Sequence, residues 1–202
     1  LQEMTSSGST GEPFRFLISN EEKAKKWAGL YRIWSWAGYA MGDRMVNITA
    51  FPPRAFKSNI FLKKIEESFS PILGLSANQL YEGNVDLFLD SMIAYKPKMI
   101  RGYASTLYYI AELLKKKDKS IEIASVGSTG ETLFDHQRVA IEDFFGCKVF
   151  DGYGGDGMEI AGQCDAGKGY HYSADSLVLE IVDNKGKICP NGVEGQVVLT
   201  DL

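Results

Sequence analysis

The chain has 202 residues and a formal net charge of −4, with 45% hydrophobic and 24% charged residues. That mixture belongs to a globular chain of one or two domains, long enough to bury a sizeable core. An acidic balance without a basic stripe excludes a dedicated nucleic-acid binder, which needs Lys and Arg to displace counterions. No apolar run approaches the roughly 20 residues that span a bilayer, so a membrane partner is not expected. No secretory signal is visible. Cys147, Cys164 and Cys189 form no disulfide framework, which makes a reducing cytoplasm the expected location. The chain starts at Leu1 and stops on the strand-like run 197–202, and is expected to be a fragment of a longer protein.

In chain order, residues 14–18 read as a short strand. Ser19 followed by Glu22 is a capping signature for a helix through Ala24, Trp27, Leu30, Tyr31 and Trp34, which recur at helical spacing. Residues 43–50 read as turn then strand, stopped by Pro52 and Pro53. Residues 56–69 read as an amphipathic helix and 72–75 as a strand. Asn84 caps a helix through Leu87, Leu89, Met92 and Ile93. A short strand is expected at 99–100, and a helix over 105–117 whose last turn carries three lysines. Residues 121–126 read as a strand, 134–145 as a helix ending at Gly146, and 147–151 as a strand. Strands alternating with helices predict right-handed crossovers and a largely parallel sheet. Residues 177–182 and 195–199, joined by an Asp-Asn-Lys-Gly turn, read as antiparallel structure. The expected fold class is therefore α/β, with a core over 1–158 followed by a smaller antiparallel β-rich subdomain over 159–202.

Three segments carry chemistry. Residues 5–13, with Ser6, Ser7, Gly8, Ser9, Thr10 and Gly11, pack hydroxyls and glycines into one loop. Backbone N–H and side-chain O–H donors of that kind suit phosphate oxygens, although a Ser/Gly hairpin turn fits the composition equally well. Residues 128–132 follow a strand and precede a helix, at the carboxyl edge where open α/β sheets bind ligands. Residues 151–159 contain Gly-x-Gly-x-x-Gly at Gly152, Gly154 and Gly157. As a dinucleotide fingerprint this is weak, because 160–164 does not read as the helix that motif requires. Asp156 and Glu159 are acids in a glycine-rich setting, suited to Mg²⁺, and Tyr153 offers an aromatic face to a base. Residues 162–168 match Gly-x-x-x-x-Gly-Lys, but Gly169 replaces the hydroxyl residue, so they read as a turn. Cys164 and His171 alone supply half of a four-ligand zinc site; a buried thiol and a strand-edge histidine is the simpler reading. His136 reads as solvated.

Taken in order, these motifs resemble the adenylate-forming superfamily of acyl- and aryl-CoA synthetases. They resemble most the branch of phenylacetate-CoA ligase, capsule-biosynthesis and coenzyme F390 synthetase-like proteins. Residues 6–13 look like its phosphate loop, and 101–105 (Arg-Gly-Tyr-Ala-Ser) are similar to its Gly-Tyr-Pro-Ser segment. Residues 130–133 and 151–154 resemble its two adenine-contacting segments, and 169–171, 179–181 and 192–202 resemble the β-region that follows. The resemblance implies the large N-terminal domain of an ATP-dependent, Mg²⁺-dependent enzyme that adenylates a carboxylic acid and passes it to coenzyme A. It implies ATP contacts from Ser6, Ser7, Gly8, Ser9, Thr10, Gly11, Gly130, Glu131, Asp151, Gly152, Tyr153 and Gly154. It implies Mg²⁺ at Asp156, with Glu159 as the fallback, and a zinc half-site at Cys164 and His171. The catalytic Lys of the family would lie beyond Leu202, and homodimerisation is left open. Phe14 stands where the family usually has Lys. That departure favours the rival reading: a degenerate or truncated member that binds nucleotide or a partner without catalysis. A dinucleotide-dependent oxidoreductase is the other rival.

Overall fold

The computed structural model describes residues 1–5, 15–50, 71–80, 84–155, 158–166 and 169–202. The expected helix over 56–69, most of the expected phosphate loop (Ser6, Ser7, Gly8, Ser9, Thr10, Gly11) and the magnesium candidate Asp156 lie outside the described residues.

Strands β1 (Gln2–Thr5) and β2 (Arg15–Ile18) form an antiparallel pair, with Thr5 opposite Arg15. Helix α1 (Asn20–Trp36) follows. Its start is the expected capping box: the Glu22 amide donates to Ser19 Oγ at 3.0 Å, and the Ser19 amide donates to the Glu22 carboxylate at 3.4 Å. Leu30, Ile33 and Trp34 are its buried residues, whereas Trp27 is exposed.

The main sheet runs β4-β3-β5-β6-β7-β8-β9 among the described residues. Its members are β3 (Met45–Thr49), β4 (Ile72–Ser76), β5 (Met99–Gly102), β6 (Ser125–Thr129), β7 (Val149–Gly155), β8 (Met158–Gly162) and β9 (His171–Tyr172). Neighbours from β4 to β7 are parallel; β8 and β9 are antiparallel additions. Helices α2 (Val85–Tyr95), α3 (Ala104–Lys116) and α4 (Asp135–Phe145) link the parallel strands. Strands β10 (Leu177–Val182) and β11 (Gln196–Asp201) form a separate two-stranded sheet, with one further antiparallel bridge from Val182 to Ile188. The fold is thus α/β, with a mostly parallel sheet and a small antiparallel one. The expected division after residue 158 runs through a continuous ladder, since β8 pairs with β7 and β9 with β8.

The period-two alternation of strands sorts the interior into two layers. Val46, Ile48, Ile100, Val126 and Val149 face a large core shared with α2, α3 and α4. Met45 and Met99 face the other way, into a smaller core with Leu30, Ile33 and Trp34 of α1.

Three local expectations are corrected. The strand expected over 121–126 lies at 125–129 instead: Ser125, Gly127, Ser128 and Thr129 are small and polar, yet β6 is bonded on both sides, and that ladder overrides propensity. The glycine-rich run after Asp151 is strand, not loop. β7 continues through Gly155 into a hairpin with β8, with a register shift at Tyr153 and Gly154. A strand where a dinucleotide fold needs a helix removes the oxidoreductase reading. Asn84 makes no capping bond; its side-chain amide donates to the Gln79 carbonyl instead.

Candidate functional site

The carboxyl ends of β6 and β7 lie side by side, with Thr129 opposite Gly152. The chain leaves β6 through Gly130 at φ +72°, a left-handed conformation that a side chain adopts only with strain. A Cβ there would also lie 2.9 Å from the Tyr103 ring. This turn sends Glu131, Thr132 and Leu133 over the sheet edge toward β7. There they line an open cleft with Asp151, Gly152, Tyr153, Gly154 and Tyr170. The structure therefore brings the two expected adenine segments, 130–133 and 151–154, into one place.

Glu131, Asp151 and Tyr170 of the cleft are held by hydrogen bonds. The Glu131 carboxylate accepts from the Ser105 amide at 2.9 Å, so it also serves the N-terminal turn of α3. Asp151 accepts hydrogen bonds from the Ser128 hydroxyl and the Tyr170 phenol. Burial raises the Tyr170 pKa above the ordinary phenol value, and its bond to the Asp151 carboxylate adds to that rise. Behind Asp151, its amide donates to the Gln163 side-chain oxygen at 3.2 Å, and Arg138 donates to the same oxygen at 2.8 Å. Tyr153 is 47% exposed, with its ring 6.4 Å from that of Tyr170. A ring presented at a sheet edge beside flat glycine backbone can stack on a heteroaromatic base.

Tyr170, Arg138 and Gln163 were not singled out in sequence. Tyr170 sits in the turn-like stretch before His171, and its contact with Asp151 spans 19 positions. No local signal reports such a pairing. Leu107 of α3 is fully buried in the larger core.

Cys164 Sγ and His171 Nε2 lie 3.1 Å apart, with the Trp36 ring packed against the imidazole at 5.3 Å. Among the described residues no group of three or more metal-ligating side chains occurs, so this pair has no third partner there. The backbone of Glu159 lies in β8 opposite Gly154. Among the described residues no helix is long and apolar enough to cross a membrane.

No family model matches the chain, and no curated protein matches it in sequence. Solved structures do match. A 2-hydroxyisobutyryl-CoA ligase in complex with 2-HIB-AMP and CoA superposes with a TM-score of 0.75 at 19% identity, over 100% of this chain and 44% of that one. The fold is that of CoA ligases. An anthranilate CoA ligase in complex with anthranoyl-AMP gives a TM-score of 0.71 at 18% identity, over 98% of this chain and 38% of its own. A long-chain-fatty-acid-CoA ligase from Archaeoglobus fulgidus gives 0.69 at 11% identity, covering 98% and 41% respectively. The chain thus spans less than half the length of each of these ligases. At such identities the likeness is one of fold, and the residues must carry the functional argument.

Proposed function

We propose that the chain is the nucleotide-binding core of an ATP-dependent acid–thiol ligase of the phenylacetate-CoA ligase-like branch. The observation that carries this reading is the single cleft made from residues 130–133 and 151–154 at the carboxyl edge of β6 and β7. Support comes from a fold shared with ligases crystallised with acyl-adenylates.

In the proposed reaction a carboxylate oxygen attacks the α-phosphorus of ATP. The bond from that phosphorus to the bridging oxygen breaks, and pyrophosphate leaves. The thiolate of coenzyme A then attacks the acyl carbon and AMP departs. The protein's work is positioning and charge stabilisation. Gly130, Glu131, Asp151, Gly152 and Gly154 border the adenine, and Tyr153 stacks on it. Ser6, Ser7, Gly8, Ser9, Thr10 and Gly11 hold the phosphates. With a net charge of −4, these local donors outweigh the field of the whole chain. Mg²⁺, which would neutralise phosphate charge, is assigned to Asp156 with Glu159 as the alternative; the carboxylate chemistry of both fits a hard cation. Cys164 and His171 are assigned as half of a zinc site, completed by ligands outside this chain. Thiolate and imidazole suit that ion, and less than a tenth of an equivalent of zinc in the full-length natural protein, purified without chelator, removes the assignment.

The test is ATP–pyrophosphate exchange by the full-length natural protein across a panel of carboxylic acids, together with calorimetric titration of ATP. Tyr153→Ala and the double variant Ser9→Ala/Thr10→Ala are expected to weaken ATP at least tenfold without loss of fold. Unchanged affinity in both would overturn the site. ATP binding without exchange for any acid favours the non-catalytic reading, which Phe14 at the loop's usual Lys position supports.

A further inference from the structure

The open cleft at the carboxyl edge of β6 and β7 holds few groups that can read the rim of a base. Gly130, Gly152 and Gly154 bring backbone only, and among the described residues no Lys, Arg, Asn or Gln lines it. Its charged side chains are the carboxylates of Glu131 and Asp151, and a carboxylate only accepts hydrogen bonds. Glu131 already accepts from the Ser105 amide at 2.9 Å.

Asp151 is fixed by residues from two other parts of the sheet. Ser128 stands opposite it in the β6–β7 ladder, is 1% exposed, and donates its hydroxyl to Oδ1. Tyr170, one residue before β9, donates its phenol to Oδ2. The main chain is held as well: the Gln163 amide donates to the Asp151 carbonyl at 3.0 Å, and the Asp151 amide donates to Gln163 Oε1 at 3.2 Å. With a donor on each oxygen the carboxylate cannot turn about its Cβ–Cγ bond, and each oxygen keeps a second lone pair. The phenol remains a donor across the neutral range, since burial raises its pKa and the Asp151 bond adds to that rise. The Tyr170 ring also stands edge-on to Tyr153, with centroids 6.4 Å apart. The ring assigned to stack on the base and the phenol that holds the carboxylate are thus neighbours.

We propose that Tyr170 is a positioning residue that sets the base selectivity of this cleft: its phenol fixes the Asp151 carboxylate to accept from the amine of a 6-amino purine, so that 6-oxo purines are refused. This rests on the adenylation reading above. A 6-amino purine offers N–H donors at that edge, whereas a 6-oxo purine puts an acceptor there and carries its proton on the neighbouring ring nitrogen. A carboxylate free to turn can follow either pattern. A fixed one aimed at the amine meets the oxo oxygen as acceptor against acceptor, and a site built to bond a polar group rejects the analogue that lacks it. The phenolic proton, committed to Asp151, does not serve the oxo group instead.

The test is calorimetric titration of the full-length natural protein, and of Tyr170→Phe, with three triphosphates that differ at one purine position: ATP, inosine triphosphate and purine riboside triphosphate, which carries only hydrogen there. The parent is expected to bind ATP at least tenfold more tightly than either analogue. Tyr170→Phe keeps the ring and loses only the hydroxyl. It should weaken ATP about fivefold, bring the ratio of ATP to inosine triphosphate down to about threefold or less, and leave purine riboside triphosphate within twofold, because that ligand makes no use of the carboxylate. A loss shared by all three ligands would reveal a packing role and overturn the inference. So would equal affinities in the parent, or a ratio that Tyr170→Phe leaves unchanged; each of these leaves the adenylation reading standing. A parent protein that binds none of the three overturns both.

Discussion

Gly130 shows how much of the site hangs on single atoms. Its φ of +72° and the Tyr103 ring 2.9 Å from an added Cβ both exclude a side chain. Gly130→Ala is expected to cost about 1–3 kcal/mol, the usual range for a non-glycine residue held in a strained region, and urea unfolding measures it directly. A stability within a few tenths of the parent would mean that Tyr103 swings away freely. Cys147 gives a pH-dependent signature. Burial, reinforced by the Glu142 carboxylate, pushes its thiol from the ordinary 9.0 up to about 11. In the folded chain at pH 8 its thiolate is therefore roughly a hundredfold scarcer than in the unfolded chain, and the thiolate is what alkylates. Iodoacetamide labelling followed by peptide mass spectrometry should show that ratio between native and urea-unfolded protein. The linked stability has a definite sign: between pH 9 and about 11 the unfolded thiol ionises while the folded one does not, so stability falls across that window. Residues such as Tyr170 escaped sequence reading because their partners are remote in sequence and only the folded topology joins them.

Among the elements, α1 was legible and β6 was not, for physical reasons. The capping box at Ser19 and Glu22 is a local arrangement within four residues, so sequence alone specifies it. Ser19→Ala removes one capping acceptor, and the expected loss is about 1 kcal/mol in chemical denaturation. Ser19→Asp should restore most of it, because a carboxylate accepts the same amide and favours the helix dipole; equal losses in both variants would show that the cap does not govern stability. Strand β6 has no such local signature. Its Ser-Val-Gly-Ser-Thr sequence is buried throughout because β5 and β7 flank it, and only that partnership makes it a strand. The same holds for the glycines of β7, where hairpin pairing with β8 imposes extension on residues whose composition suggests a turn. Helix α1 also packs closely over β8: a Cβ on Gly162 would lie 2.4 Å from Ile33 Cγ2.

At the scale of the whole molecule, alternation of strand and helix was enough to reveal a parallel sheet, because each crossover leaves its own period in the sequence. The strand order and the two cores of unequal size on opposite faces were not, since they depend on which strand pairs with which. The larger core backs β3, β5, β6 and β7 on one face, α1 closes over Met45 and Met99 on the other, and the open cleft lies where β6 and β7 run out beyond both layers. The β10–β11 ribbon has a different standing. All six of its register pairs are formed, yet most of its side chains are exposed, with Leu177 the buried anchor. The buried Leu177 and a Lys26–Asp201 ion pair at 3.1 Å tie it to the body, and the Leu202 amide bonded to the Ser176 carbonyl extends its own ladder by one pair. An isolated two-stranded ribbon is marginal in water, so its hydrogen bonds protect it only as long as those ties hold. Deuterium should therefore enter the amides of Val178, Glu180, Val198 and Thr200 orders of magnitude sooner than those of Ile100 and Val126, a sub-global opening well below the energy of full unfolding. Equal protection in the ribbon and the central strands would show that the molecule opens as one unit.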